Sequence, residues 1–266
     1  MFLPVLFFLG AISFDEGMSP RYIETYRFDL SLFKTLYEKN NYTVVPYSEK
    51  PLIPKIIHQI WLGGAIPKRF EKFMESWKIA HPSWEYKLWT EKDLAQFSFK
   101  NKTAFDLANS YGMKSDIWRY EILDQYGGLY VDVDFECLKP FDPFHHTSLF
   151  YTGLQDEGVV GNGLIGAAPH HPLIHRCVEQ LSLLTKYKLT VEETFQMTGC
   201  DFFTRILIQG IQAGEGEKVV IYPKALFFPF PSTLQKEYWD GNITQGQLTV
   251  FLSKESFAYH TWAESW

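Results

Sequence analysis

Two periods of apolar and polar residues run along this chain, and the places where one gives way to the other mark out its elements. Between residues 19 and 45 (SPRYIETYRFDLSLFKTLYEKNNYTVV) apolar positions recur at three- and four-residue steps, at Tyr26, Leu30, Phe33 and Tyr37, which predicts a helix. Pro46, Pro51 and Pro54 then predict an extended connector. Lys55 to Gly64 (KIIHQIWLGG) is a β-branched apolar run stopped by two glycines, the pattern of a buried strand. Pro67 to Ala80 puts Phe70, Phe73, Met74 and Trp77 on one stripe behind a proline, and so predicts a helix. Trp84 to Trp89 (WEYKLW) alternates as a strand does. Thr90 is placed to cap a short helix through Asp93, its hydroxyl open to free helical N–H groups. Strand, helix, strand, helix in succession implies a parallel sheet with right-handed crossovers.

A further helix is predicted from Ser115, as N-cap, to Tyr126, ended by Gly127-Gly128. Leu129 to Phe135 (LYVDVDF) reads as the strand after it. Gly163 to Ala168 and Val219 to Tyr222 read as short strands, Pro172 to Leu184 and Cys200 to Ala213 as helices. There is no composition break, repeat or low-complexity tract. The expected organisation is an α/β catalytic domain over residues 51–266, preceded by an N-terminal apolar segment and helical extension over residues 1–50.

Composition narrows the function classes. The chain has 266 residues, 46% hydrophobic and 21% charged, a globular balance that excludes disorder, collagen and coiled coil as the main state. A net charge of −6 argues against nucleic acid as a partner, since phosphate backbones call for a basic stripe. Aromatic residues reach 17%, enough for an aromatic core and for faces that suit sugar rings and bases. Cys137, Cys177 and Cys200 lack metal-finger spacing and cannot all pair within one chain, so buried thiols are expected. Met1 to Phe14 is almost wholly apolar but shorter than the roughly 18–20 residues that cross a bilayer. Its first charges are Asp15 and Glu16, not the positive flank of a signal peptide. An export signal, a monotopic membrane contact and a segment packed on the domain all stay open. So do a cytoplasmic or membrane-associated location and, as the alternative, an endomembrane lumen in which the sequons at Asn41, Asn101 and Asn242 would matter.

The sharpest chemical signal is Asp132-Val133-Asp134 at the end of the predicted strand. Side chains two apart on a strand share a side, so the two carboxylates are expected to project together. Such a pair needs a cation, an arginine or open water. Carboxylate oxygens suit Mg²⁺ or Mn²⁺, which often share their coordination shell with substrate phosphates. Asp116 and Arg119 lie three apart on the preceding helix and share a face. Arg119 is placed to pair with Asp116 or to donate two N–H groups to a diphosphate or a sugar hydroxyl. His145-His146 and His170-His171 stand beside prolines and read as solvated loop residues. His58 reads as a hydrogen-bonded core histidine, and Gly210 to Gly216 as a turn, since no Lys-Ser/Thr follows it.

Three blocks together, Pro54-KIIHQIWLGG, Ser115-DIWRYEILDQYGGLYVDVDFE and Phe257-AYHTWAESW, resemble the family 32 glycosyltransferases. These include fungal outer-chain α-1,6-mannosyltransferases and sphingolipid mannosyltransferases; the middle block is also similar to the glucosyltransferase domains of large clostridial toxins. The likeness runs over residues 54–266. It implies a GT-A, Rossmann-like nucleotide-diphospho-sugar transferase fold with a mostly parallel central sheet. It implies that Trp61 stacks on the donor's base, that Asp116 and Arg119 hold the donor sugar, and that Asp132 lies near ribose and sugar. On the same resemblance Asp134 is the direct metal ligand, with Asp132 and His260 beside it, and Asn162 lies near the sugar. Trp262, Ser265 and Trp266 match a tail that closes over the donor. Thr198-Gly-Cys-Asp departs from the family's usual Thr-Gly-Pro, which puts that loop in question.

The implied reaction is retaining transfer of a hexose from a nucleotide-diphosphate sugar to a hydroxyl on a glycan or lipid, with Mn²⁺ or Mg²⁺ as cofactor. GDP-mannose is the favoured donor, with UDP-glucose and UDP-galactose open, and a protein acceptor is the alternative. Two further readings compete: a metal phosphoesterase, which normally supplies a denser His and Asp cluster, and a carbohydrate-binding module, which has no need of the paired aspartates.

Overall fold

The computed structural model describes residues 29–156, 158–182 and 191–263. The Met1 to Phe14 segment, the first part of the predicted 19–45 helix, and Ser265 and Trp266 lie outside them. Within them the helical period becomes α1 (Asp29–Asn40). Phe33 and Leu36 bury into the main core, and Asn40 Nδ2 donates to Val219 O at 2.9 Å. This helix is therefore packed on the sheet rather than held apart from it.

The central sheet has seven strands. β1 (Ile56–Ile60) runs parallel to β2 (Glu85–Trp89) on one side and to β3 (Gly128–Val131) on the other. The crossover between β1 and β2 carries α2 (Glu71–Ala80), whose Phe73, Met74 and Trp77 are buried as the stripe predicted. Beyond β3 the expected parallel order breaks, because β7 (Leu164–Ala167) runs antiparallel to both β3 and β5 (Phe150–Asp156). β8 (Val219–Tyr222) rejoins β5 in parallel and β6 (Val159–Val160) pairs it antiparallel. The result is a mixed, mostly parallel sheet of the GT-A type.

One helix end differs from expectation. The helix after α3 (Lys102–Leu107) is α4 (Tyr111–Tyr126), and its N-cap is Ser110, which accepts from Met113 N at 3.1 Å; Ser115 lies inside the helix. Thr90 is the N-cap of the short helix at Glu91–Asp93, as expected, and the Asp93 carboxylate returns a capping contact by accepting from Thr90 N at 2.9 Å. α4 is buried on all sides, Ile117, Trp118 and Tyr120 included, so its polar residues must find partners inside the fold. Gly127 and Gly128 turn the chain from α4 into β3 with φ of 61° and 101°. A Cβ on Gly128 would stand 2.7 Å from Ile56 O, so both the conformation and the close approach to β1 require glycine there.

The histidines near prolines are not solvated loop residues, His170 excepted. His145 and His146 lie in α5 (Asp142–Thr147) and are buried. His145 packs on Trp84 at 4.2 Å and bonds Tyr151 Oη, and burial pushes its pKa down to about 3. His171 is also buried, as the N-cap of α6 (Pro172–Leu181). The aromatic load of the core gives these rings stacking partners that one-dimensional patterning does not reveal. His58 is the core histidine expected, with Nε2 on Gly127 O and Nδ1 accepting from Trp89 Nε1. All three cysteines are free and buried. Of the sequon asparagines, Asn41 and Asn101 are buried while Asn242 is exposed.

Candidate active site

The strand bearing the paired aspartates ends earlier than the sequence suggests. β3 stops at Val131, and residues 132–135 form a turn closed by Phe135 N on Asp132 O at 3.2 Å. The two carboxylates therefore converge through a turn rather than through strand alternation. β4 (Phe135–Cys137) then pairs antiparallel with β9 (Ala258–His260), setting Phe135 opposite His260. Asp134 is held closely by this partner segment. Its carbonyl accepts from Thr261 N at 3.1 Å and Thr261 Oγ1 at 2.8 Å, and its Oδ2 accepts from Ala263 N at 2.7 Å. His260, stacked on Phe135 at 4.4 Å, brings Nε2 to 2.9 Å from Asp134 Oδ1.

One ligand atom each from Asp132, Asp134 and His260 lies within 4.8 Å of the others. Two carboxylates and one imidazole this close repel or compete unless a cation sits among them. Hard oxygen donors with one nitrogen fit a divalent ion of the Mg²⁺ or Mn²⁺ kind. The surrounding charges agree. Asp116 and Asp132 share the Arg119 guanidinium, and Asp134 adds a third carboxylate beside Asp132, which leaves an excess of negative charge for a divalent ion to offset.

Arg119 is the hub of the inner wall. Its Nη2 lies 3.2 Å from Asp116 Oδ1 and 3.3 Å from Asp132 Oδ1, and its Nη1 donates to Asn162 O at 2.7 Å. It is packed over the Tyr130 ring, and the Tyr130 hydroxyl donates to Asp132 Oδ1 at 2.6 Å. Asp116 in turn accepts from Asn162 Nδ2 and Thr198 Oγ1, both at 2.9 Å. Burial raises the Asp116 carboxyl above its ordinary range, opposed by the Arg119 charge. Burial also raises Asp132, opposed by Arg119 and reinforced by Asp134. Burial works against the charge of Arg119 itself, but the facing carboxylates outweigh it and raise its pKa.

These groups open on a cavity of about 510 Å³ lined by Asp116, Arg119, Asp132, Asn162, His260 and Trp262, among others. Trp61 is not among the lining residues. It packs with Phe70, Val133 and Ala263 behind the turn, its indole N–H buried without a partner among the described residues. Trp262 takes a positive φ of 57° and donates its indole N–H to Phe230 O at 2.8 Å, which turns the chain over the cavity. Tyr130, Thr198 and Gly163 belong to the site but were not singled out from sequence as doing so. Tyr130 lies two residues before Asp132 and could have been read from the strand period; Thr198 stands at the head of the Thr-Gly segment that the family resemblance marks, and Gly163 carries no local signal.

The paired-aspartate turn coincides with a known family feature. Residues 67–151 match the family described as a glycosyltransferase sugar-binding region containing the DXD motif. The chain thus carries the sugar-binding region of the DXD glycosyltransferases. It is 27% identical over 219 residues to inositol phosphoceramide mannosyltransferase 1 of Schizosaccharomyces pombe, a match that covers 78% of this chain and 68% of that one. To inositol phosphoceramide mannosyltransferase 3 of the same yeast it is 31% identical, over 59% of this glycosyltransferase but only 44% of the relative. Among solved structures, the PaToxG glycosyltransferase superposes with a TM-score of 0.50 at 18% identity, over 74% of this chain and 83% of that one. At that identity the likeness speaks for the fold alone. The fold together with its DXD region supports nucleotide-sugar glycosyl transfer.

Proposed function

We propose that this glycosyltransferase moves mannose from GDP-mannose to a hydroxyl of a phosphoinositol-bearing sphingolipid, with retention of anomeric configuration. The yeast relatives, named as inositol phosphoceramide mannosyltransferases, support the sugar and the acceptor class. The observation that carries the chemistry is the convergence of Asp132, Asp134 and His260 at the mouth of the Arg119 network.

In this reading Asp132, Asp134 and His260 hold Mn²⁺ or Mg²⁺. The ion supplies Lewis-acid neutralisation of the charge that grows on the leaving diphosphate. Arg119 opposes the burial that raises the Asp116 and Asp132 carboxyls and holds both in place, so the carboxylates need little reorganisation during the reaction. Asn162 and Asp116 line the cavity where the hexose sits, and Trp262 covers it from the C-terminal side. Trp61, stacked behind the turn, supports the donor through Val133 and Ala263. The bond from the sugar's anomeric carbon to the diphosphate oxygen breaks, and the acceptor oxygen bonds to the same face. The acceptor proton passes to the departing phosphate.

Same-face attack is favoured over a covalent glycosyl-enzyme because, among the described residues, the acidic side chains lining the cavity are Asp116 and Asp132, and Arg119 engages both. The test is release of nucleotide from GDP-mannose, UDP-glucose and UDP-galactose with Mn²⁺, comparing the native chain with Asp132→Asn and Asp134→Asn. Turnover confined to GDP-mannose and lost in both variants is expected. Full turnover in both variants sinks the proposal, and product NMR showing an inverted anomeric centre sinks retention.

A further inference from the structure

On the far side of the short helix α10 (Gln235–Trp239) from the donor cavity the surface changes character. Gln235 lines the cavity, whereas Tyr238 and Trp239 line a second pocket of about 380 Å³ together with Lys68, Arg69 and Lys72. These three basic residues are exposed, yet they are not loose surface charges. Arg69 lies over the Trp239 ring at 4.8 Å and over Phe70 at 4.9 Å. Lys72 Nζ lies over Phe73 at 4.5 Å and near Tyr238 at 5.9 Å. None of the three makes an ion pair within 4.0 Å among the described residues, although Glu71 and Glu75 stand on the same helix. Cations held over aromatic faces keep their N–H groups free for an anion.

Ile243 is shared with a third pocket of about 330 Å³, whose wall is mostly apolar: Leu234, Ile243, Val250 and Phe251, with Glu237, Asn242 and Gln247 also lining it. Val250, on α11 (Gln245–Phe251), is 80% exposed, the highest value of any large apolar side chain among the described residues. A basic pocket thus abuts an apolar cleft, and both stand next to the wall of the donor cavity. An anionic phospholipid has this layout, with a phosphate ahead of an acyl chain.

We propose that this face docks the enzyme on a membrane by taking the phosphate of an anionic phospholipid on Lys68, Arg69 and Lys72 and its acyl chain against Leu234, Ile243 and Val250. Charge complementarity names the headgroup, and the adjoining apolar wall names a lipid rather than a free phosphate. Docked in this way, the enzyme keeps the cavity at the bilayer surface, where a lipid acceptor would be met. The inference stands whichever sugar the enzyme transfers.

The test is flotation of the full chain with phosphatidylcholine vesicles, with and without phosphatidylserine. Each basic residue near such a surface is worth about fivefold in partitioning. K68Q/R69Q/K72Q should therefore lose on the order of 100-fold of the phosphatidylserine-dependent binding. V250D should weaken binding to both vesicle types. Donor hydrolysis in solution should stay at the native level in both variants, which separates this inference from the assignment of the donor site. Unchanged binding of the triple variant overturns the proposal. So does native-level flotation of V250D, or protection of the basic pocket by inorganic phosphate with no vesicle effect, which would mark a soluble-anion site.

Discussion

A methyl group on Gly163 would stand 2.6 Å from Asp132 Oδ2. Gly163 O also accepts the Asp132 amide at 2.9 Å, so the strand that returns past the turn fixes both ends of the residue. Gly163 has no positive φ, and alanine there costs no backbone strain. Gly163→Ala should therefore fold normally but displace the Asp132 carboxylate. A shift of about 1 Å in a catalytic group costs on the order of 100-fold in rate. Steady-state donor turnover beside an unchanged melting temperature checks this; full activity in the variant refutes it.

Arg119→Met removes the one guanidinium shared by Asp116 and Asp132. Breaking a buried charge network by deleting one partner costs about 3–5 kcal/mol. Urea unfolding should show a loss of that order. Added Mn²⁺ should recover part of it, because an ion bound only by the folded state stabilises that state.

His260→Ala takes one donor from the proposed ion and one neighbour from Asp134 Oδ1. Losing such a partner weakens metal binding by about 10–100-fold. The activation curve for Mn²⁺ should move to higher concentration by that factor, with turnover at saturation less affected. A curve identical to the native one would place His260 outside the ion's shell.

Three buried histidines set an acid limit on stability. Burial lowers the pKa of His58 to about 4, of His145 to about 3 and of His171 to about 4, from an ordinary 6.5. The folded state holds each ring neutral while the unfolded chain takes up a proton. Their contribution is complete above pH 6.5 and is lost as pH falls toward 4. Between pH 7 and 5.5 each should cost about 1 kcal/mol. Unfolding midpoints in urea across that range check the slope, which His58→Gln should flatten by about one proton.

The sequence was most informative where chemistry and spacing coincide. Asp116 and Arg119 at i and i+3 on a helix, two glycines, then two aspartates gave both the site and the order of its elements. It was less informative at element ends. Ser115 reads as the cap because apolar periodicity follows it, whereas Ser110, five residues earlier, accepts from Met113 N and starts the helix. The antiparallel direction of β7 was invisible because strand direction leaves no trace in a four-residue apolar segment. Thr198 and Asn162 reach Asp116 from 82 and 46 residues away; the resemblance places Asn162 near the sugar, but their bonds to Asp116 are set by tertiary contact.

The pairing of β4 with β9 has a consequence for how the enzyme comes into being. Asp134 leaves the ribosome well before His260, Thr261 and Ala263, the residues that grip it. A nascent chain can build most of its sheet during synthesis and still own no working centre. The centre is complete only once β9 closes on the turn, so the paired aspartates alone are half of a site until that late contact forms.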